Sequence, residues 1–560
     1  MAGLCAAGGA FGDIGGRAFQ AGHVTIPAGP FVLLFAATWI SGLALFILFP
    51  RFPDTRRSAV TLMALALVFR VLLLPHPPSD DIYRYLWEGR LIREGVSPYA
   101  MAPDDPALAA LAAGDPFHAK INHPDMPAIY PPFVLMIFGL VGRLGYDVPT
   151  LKLLFTAADL GTVWGLLLLL MHRGLPLRWV ALYAFNPVVL YGFAGQGHLD
   201  AVQNLFLVWA VAASDRRRWG VMFLLAGLAV QSKYVAVLAL PFFLRRDNWP
   251  WVWAAFLAIL LPVLPFRNDG LFDSLMRFGG EFAFNGSIHA LLRWLPGGIA
   301  PATAVCKAVL AAALVAGIVW FHPLFNRRYR DDPVPGIAFA MAALLALSPT
   351  VHYWYLSWIL LWMPVRPAVS WMVASLTVTG YFTTYGIAHA TGRWHLPTPV
   401  QIMEWLPVWL LLMREMVLFA RRMRTPAPTK PVNGISVVIP ALNESERIGP
   451  CVRAVRSDPA VVEVIVADAG SSDDTAIQAE TAGAVVIRHD KPVDDGGGRG
   501  GQIFAGVKWA TCDVVAVVHA DTLAVAPVFS DIRRLLDRLP EVVGGASGGI
   551  FEGPGTRLRL

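Results

Sequence analysis

Charge is scarce in this chain. Asp, Glu, Lys and Arg make up 15% of its 560 residues, while 56% are hydrophobic. A soluble globular domain carries about 25% charged residues, so this composition excludes a soluble protein over most of the length. Cysteine is rarer still. Cys5, Cys306, Cys451 and Cys512 are scattered and lack metal-ligand spacing, which excludes a disulfide framework and a cysteine-ligated zinc site. No two histidines share a ligand spacing such as i, i+4. The first 25 residues are rich in Gly and Ala but lack a basic start and a clear apolar core, so residues 1–28 read as a loose tail and not as a signal peptide. The net charge of +6 lies largely in short clusters between apolar runs. Such clusters read as the cytoplasmic loops of a membrane protein, not as a nucleic-acid surface.

What the chain has in abundance is apolar runs, which recur between residues 30 and 420 and predict a polytopic helical domain of 11–13 spans over residues 29–424. Several runs are shorter than the ~20 residues of a straight span, which predicts half-spans or broken helices. The basic loops at 51–57, 214–218, 245–248, 326–332 and 421–424 are expected in the cytoplasm. The loops at 76–128, 195–199, 267–300, 349–353 and 388–400 then fall on the opposite face. Crossing parity fails by one between residues 129 and 194, unless a segment there is not a full span. The composition changes at "TPAPTKPVNG", a Pro-rich linker over 425–434. Beyond it, strand-like runs alternate with amphipathic helices, which predicts an α/β domain with a parallel sheet over 435–560. This domain follows a loop expected in the cytoplasm.

Ligands of open α/β sheets bind beyond the carboxyl ends of the strands. The acidic residues sit there: Glu444 after the first strand, Asp468, Asp473 and Asp474 after the second, and Asp521 after the fourth. Hard carboxylate oxygens suit Mg²⁺ or Mn²⁺ bridging a diphosphate. An alternative is that Asp473 and Asp474 cap a helix. The strings "SVVIPALNESERI", "VIVADAGSSDDT" and "VVHADT" resemble the family 2 glycosyltransferases of GT-A fold. The resemblance implies that Pro440, Asn443, Glu444, Asp468, Ser471 and Asp473 hold a nucleotide-sugar. "HAD" occupies the place of that family's DxD motif, so Asp521 would carry the metal, with His519 a second ligand. The chain ends at "FEGPGTRLRL", in what reads as mid-domain, and "GGASGGIFEGPG" is expected to be poorly ordered.

The stretch "PHPPSDDIYRYLWEGRLIREGVSPYA" (75–100) follows a hydrocarbon run directly. Charges at a membrane boundary are costly and point to function. Tyr83, Tyr85 and Trp87 alternate with Arg84 and Arg90, which suits a phosphate at headgroup level. With "IYPP" (129–132), "FNP" (185–187), "GHLDA" (197–201), "FNGS" (284–287) and "SPTVHYWY" (348–355), taken in this order, the stretch resembles the GT-C glycosyltransferases. More narrowly it is similar to the polyprenyl-phosphate-sugar-dependent mannosyltransferases of family 87 type. The resemblance implies a sugar on a polyprenyl phosphate as donor, with no obligatory metal. It also implies a carboxylate in the first outer loop that deprotonates the acceptor hydroxyl. Asp81 aligns best with that base, and Asp80 is the alternative. Adjacent carboxylates raise one another's pKa. Candidate cations for the donor phosphate are Arg84, Arg90, His352 and Arg393, with Lys233 inside a span. His198 and Asp200 are either acceptor contacts or structural polar residues.

The expectation is thus a glycosyltransferase of a bacterial-type inner membrane. It would transfer a hexose such as mannose to a glycolipid or polysaccharide acceptor on the outer face, with membrane lipids and a nucleotide-sugar as further partners. Two alternatives stand beside it. One is a nucleotide-sugar-dependent polyprenyl-phosphate sugar synthase anchored by a passive membrane domain. The other is a transporter or lipid flippase, although the membrane region shows no duplicated motif of the kind transporters carry.

Overall fold

The computed structural model describes residues 54–293, 298–322, 332–424, 432–489, 498–524 and 526–538, with isolated positions elsewhere. The expected N-terminal tail, and most of the first apolar run, the linker and the trailing "GGASGGIFEGPG", lie outside the described residues. The chain divides into two compact units, Met1–Val417 and Leu418–Leu560.

The first unit is helical. Its main helices are α1 (Arg56–Leu73), α2 (Asp81–Arg93), α3 (Pro132–Val141), α4 (Val148–His172), α5 (Asp200–Asp215), α6 (Trp219–Val230), α7 (Ile299–Phe321), α8 (Val334–Leu347) and α9 (Thr398–Arg424). Side chains start several of them. Thr55 accepts from the Ser58 amide at 3.2 Å, and Asp147 from that of Thr150 at 2.8 Å. Among the described residues, three stretches are long and apolar enough to cross a membrane: Val148–His172, Trp249–Phe266 and Ala300–Phe321. Four shorter apolar helices accompany them, Pro132–Val141, Trp219–Val230, Tyr234–Phe243 and Val334–Leu347.

Prolines and polar residues break the other runs. In residues 178–194, where one span is expected, the chain instead makes a 3-10 turn at Leu177–Val180, a helical turn at Ala181–Ala184, a turn at Pro187–Leu190 and a π-helical turn at Tyr191–Gly195. Asn186, extended as a residue before proline favours, caps the third of these by accepting from the Val188 amide. Helix α3 covers about 15 Å, half a hydrocarbon core. The interval in which crossing parity fails therefore contains two segments that are not straight spans.

Aromatic packing ties α2 to its neighbours. The Tyr85 ring stacks on Phe138 of α3 at 5.0 Å and meets Phe155 of α4 edge-on at 5.9 Å. Between α1 and α4, Arg70 and Asp159 form a fully buried ion pair at 2.7 Å. Tyr183 donates to the same carboxylate at 2.9 Å. Val305, Val309, Val315 and Val319 leave an apolar face of α7 uncovered, as a lipid-facing helix requires.

The second unit is a four-stranded parallel sheet in the order β3-β2-β1-β4, formed by β1 (Val432–Ala441), β2 (Val461–Asp468), β3 (Val485–Arg488) and β4 (Cys512–Val517). Helices α10 (Ser445–Arg456), α11 (Thr475–Thr481), α12 (Gly498–Trp509) and α13 (Val528–Arg538) alternate with the strands. Val437, Val438 and Ile439 are all fully buried, which explains the unbroken apolar run of a strand covered on both faces. Ala441 pairs with Asp468, so the carboxyl ends of β1 and β2 lie level.

Candidate active sites

In the membrane unit, α2 begins at the carboxylate pair, and three contacts fix that start. Lys152 of α4 donates through Nζ to the carbonyls of Leu74 at 2.7 Å and His76 at 2.6 Å, where the chain leaves α1. The Ser79 amide donates to the Gln196 carbonyl at 2.9 Å. Gly197, at φ +80°, brings the next turn so close that an added Cβ would lie 2.8 Å from Ile82 Cδ1.

The pair divides at once. Asp81 Oδ1 accepts from Asn122 Nδ2 at 2.9 Å, and Oδ2 lies 3.3 Å from His198 Nδ1, with the side chain 18% exposed. Asp80 is exposed, and its carboxylate does not cap the helix. Desolvation by the protein packed beside it and the neighbouring Asp81 charge push Asp80 up to about 6, against a hydrogen bond from the Asn122 side chain. Burial works in the same direction on Asp81, but His198 and Asn122 outweigh it and hold this carboxyl well below the usual range.

His198 is fully buried, with its ring parallel to Trp354 at 3.6 Å and 13°. His352 also lies parallel to Trp354, at 4.5 Å and 10°, and its Nδ1 is 2.9 Å from Tyr381 Oη. Burial pushes His352 down to about 3 against the pull of Asp81, so the ring is neutral at pH 7. It contributes hydrogen bonding and stacking. The segment before His352 is set by "FNGS". The Phe284 amide donates to the Pro349 carbonyl at 3.0 Å, and the Val351 amide returns to Phe284 at 2.8 Å. Only glycine fits at 286, because a Cβ would meet the carbonyl oxygens of Ser348 and Pro349 at 2.7 Å. Asn285 is held in turn by Glu404 of α9 at 2.9 Å. "SDDIY", "GHLDA", "FNGS" and "SPTVHYWY", far apart in sequence, thus meet through Asp81, His198, Trp354, His352 and Phe284.

A second polar group extends from this one. Asp200 is fully buried, and its Oδ1 accepts from Lys233 Nζ at 2.7 Å and Trp358 Nε1 at 2.6 Å. The Lys233 ammonium lies 4.6 Å from the Tyr355 ring centroid. Its side chain remains 16% exposed.

Two of the expected phosphate ligands are used elsewhere. Arg84 is buried, and all five of its N–H groups are engaged, by Glu88 and by the carbonyls of Asn122, His123, Met126 and Pro127. It closes the loop that follows α2 and has no donor left for a phosphate, which corrects that assignment. Burial pushes its partner Glu88 up to about 7. Arg90 is bound to Asp115 at 2.7 Å and lies about 14 Å along α2 from Asp81, so it too is a loop anchor. Arg393 is exposed, with no side-chain partner among the described residues. Asn122, Lys152, Gln196, Trp354 and Tyr381 are site residues that the sequence reading did not select.

In the α/β unit, the loops after β1 and β2 are laced together at the strand ends. The Asn443 amide donates to Ser471 Oγ at 2.9 Å, the Ser472 amide to Asn443 Oδ1 at 2.9 Å, and the Glu444 amide to Thr475 Oγ1 at 2.7 Å. Asn443 adopts φ +55° to make this turn. Asp468 accepts from the amides of Gly470 at 3.2 Å and Ser471 at 3.1 Å. Gln502 of α12 donates to the carbonyls of Ala441 and Ala467, both at 2.8 Å, and pins the two strand ends. Asp473 accepts from Thr475 and from the Ser445 amide, and the Thr475 hydroxyl holds its carboxyl down at about 2. The capping alternative therefore describes Asp473. Pro440 is buried within β1. Among the described residues the Glu444 carboxylate meets Arg447, at 3.5 Å, and stays partly exposed.

Asp521 and His519 are exposed beyond the end of β4. Among the described residues no group of three His, Cys, Asp or Glu side chains is placed to hold a metal ion. Asp521, a hard exposed carboxylate at this strand end, would be the residue to hold Mg²⁺ or Mn²⁺. The His519 imidazole fits those hard ions poorly. Bound there, such an ion would neutralise charge on the diphosphate.

Comparison with known proteins agrees with both geometries. Residues 13–247 match the family model described as alpha-(1->6)-mannopyranosyltransferase, N-terminal domain. Residues 436–559 match glycosyl transferase family 2. Alpha-(1->6)-mannopyranosyltransferase A of Mycobacterium tuberculosis is 26% identical over 340 residues, covering 53% of this chain and 64% of that protein. Glucosyl-3-phosphoglycerate synthase of Mycolicibacterium smegmatis is 35% identical over 110 residues, 19% of this chain and 36% of that protein. The 4,4'-diaponeurosporenoate glycosyltransferase of Staphylococcus aureus is 33% identical over 131 residues, 21% of this chain and 34% of that protein. The chain spans just under two thirds of the first of these and about a third of the other two. It thus joins two glycosyltransferase segments in one polypeptide, an alpha-(1->6)-mannopyranosyltransferase-type N-terminal domain and a family 2 domain.

Proposed function

We propose that the membrane unit transfers a hexose, mannose in the first instance, from a polyprenyl-phosphate donor to a lipid or glycan acceptor at the outer face of the membrane. The observation that carries this reading is the convergence of Asp81, His198, Trp354 and His352 at the start of α2. A carboxylate pair accepts the acceptor's proton, and Lys233, partly exposed beside Tyr355, offers a cation for the donor phosphate. A leaving group that is already a phosphate needs no metal here. The expected ligand set becomes Lys233 and Arg393, without Arg84 and Arg90.

The α/β unit, in this reading, lies in the cytoplasm and binds a nucleotide-sugar at Glu444, Asp468 and Asp521. It would load polyprenyl phosphate for use by the membrane unit once the lipid has crossed. The similarity of this unit alone to proteins such as glucosyl-3-phosphoglycerate synthase supports keeping the second reading, in which only the α/β unit reacts.

The test is transfer by the purified full chain in detergent, with radiolabelled polyprenyl-phosphate mannose and a membrane-lipid extract. The expected result is labelled product that disappears when Asp80 and Asp81 are both changed to Asn. Product formed only from a nucleotide-sugar, and unaffected by that double change, would transfer the activity to the α/β unit.

A further inference from the structure

Both terminal nitrogens of Arg84 are committed to one short loop, and that loop presents a residue with no role so far. Resting on the reading above, we propose that His123 binds the phosphate of the lipid-linked donor together with Lys233.

The loop is built around Arg84. Its Nη1 donates to the carbonyls of Asn122 and His123, both at 3.1 Å, and its Nη2 to those of Met126 and Pro127. The Met126 amide also donates to the His123 carbonyl, at 3.1 Å. These bonds fix a turn over residues 122–127. Within it, Asn122 faces the carboxylate pair and donates to Asp81 Oδ1 at 2.9 Å. His123 adopts φ +44°, in the left-handed region that disfavours a residue with a Cβ. Glycine would make this turn without steric cost. A side chain held in such a conformation beside a reacting centre calls for a use.

The surroundings of the ring define that use. His123 is exposed, and among the described residues its ring nitrogens have no hydrogen-bond partner. Asp125 of the same loop is paired with Arg277 at 3.0 Å and does not hold the ring. The imidazole meets Phe282 edge-on at 5.1 Å. The Phe282 carbonyl accepts from Thr350 Oγ1 at 3.0 Å, and Phe284 stacks on His352 at 5.6 Å. His123 therefore joins the loop after α2 to the two segments that carry Phe284 and His352. The charges of His123 and Lys233 both act on the His352 ring, so the two groups lie within electrostatic range of one point in the site. An imidazole offers an N–H in either protonation state. It can meet a phosphate oxygen while Lys233 supplies the positive charge.

The experiment compares wild type with His123→Gly, as the full chain in detergent. Glycine removes the ring and suits the backbone at 123, so the thermal midpoint is expected to hold. Two quantities are read. One is KM for polyprenyl-phosphate mannose, and the other is Kd for polyprenyl phosphate without sugar, by isothermal titration calorimetry. Both are expected to rise about 10–100-fold, the worth of one hydrogen bond to a charged group. The kcat, and KM for the acceptor extract, are expected to stay within a few-fold. Unchanged donor KM and Kd, or a rise confined to the acceptor KM, would overturn the assignment. A lower midpoint with loss of kcat would assign His123 to the fold and overturn it as well. A wild type that binds polyprenyl phosphate but transfers nothing would instead overturn the reading on which the proposal rests, and the comparison of Kd values would still decide the role of His123.

Discussion

A charged side chain persists inside an apolar helix only where something meets its charge. Arg70 and Asp159 meet each other at 2.7 Å with no exposure to solvent, and Lys152 meets two carbonyls. Breaking a buried pair by removing one partner costs about 3–5 kcal/mol. Asp159→Ala is therefore expected to lower the thermal midpoint in detergent, and the double change Arg70→Met with Asp159→Leu to recover most of the loss. An unchanged midpoint in the single variant would show that the pair contributes nothing to stability. Residues of this kind were legible, since each interrupts a hydrophobic run, although of the charges inside runs Lys233 alone was singled out. Asn122 and Gln196 were not legible, because an amide in a loop looks the same whether or not it supports a site. Arg84 misled for a related reason. An arginine among aromatics suits a phosphate, and it suits backbone carbonyls equally well.

At the scale of the element, the site depends on irregular backbone. The expected spans at 178–194 and 354–366 are broken into short turns that deliver His198 and His352. Proline and glycine announced the breaks, but the pairing of Phe284 with Thr350 joins segments some sixty residues apart, and no local pattern predicts such a partner. Gly286→Ala must push this pairing apart, since its Cβ would lie 2.7 Å from two carbonyl oxygens. Transfer from the lipid-linked donor is expected to fall at least about tenfold, roughly the cost of misplacing a positioned group. A kinetic assay giving wild-type rates would mean that the segment does not place His352. In the α/β unit, Gln502→Leu removes both bonds that pin the ends of β1 and β2. Each hydrogen bond lost costs about 0.5–1.5 kcal/mol. Weaker nucleotide-sugar binding by calorimetry is the expected outcome, and undiminished affinity would detach Gln502 from the site. The parallel sheet itself was legible from the alternation of strand and helix, and the strand ends carried the acidic residues as the rule for open sheets requires.

At the scale of the whole molecule, the chain places two glycosyltransferase segments in series, and their reactions should separate. Asp521→Ala, in the full chain, is expected to abolish reaction from a nucleotide-sugar while leaving transfer from supplied polyprenyl-phosphate mannose unchanged. Loss of both would mean that the units share one reaction. The division into a membrane region and an α/β region was legible from composition alone. The number of crossings was not, because apolar length does not reveal where a run is broken. The most direct measurement of the central claim is a cryo-electron-microscopy structure of the full chain with a non-transferable polyprenyl-phosphate sugar. The account predicts the phosphate beside Lys233 and the sugar's anomeric carbon facing the Asp80–Asp81 pair. A donor phosphate bound on the other side of the membrane unit, away from Asp80 and Asp81, would contradict it.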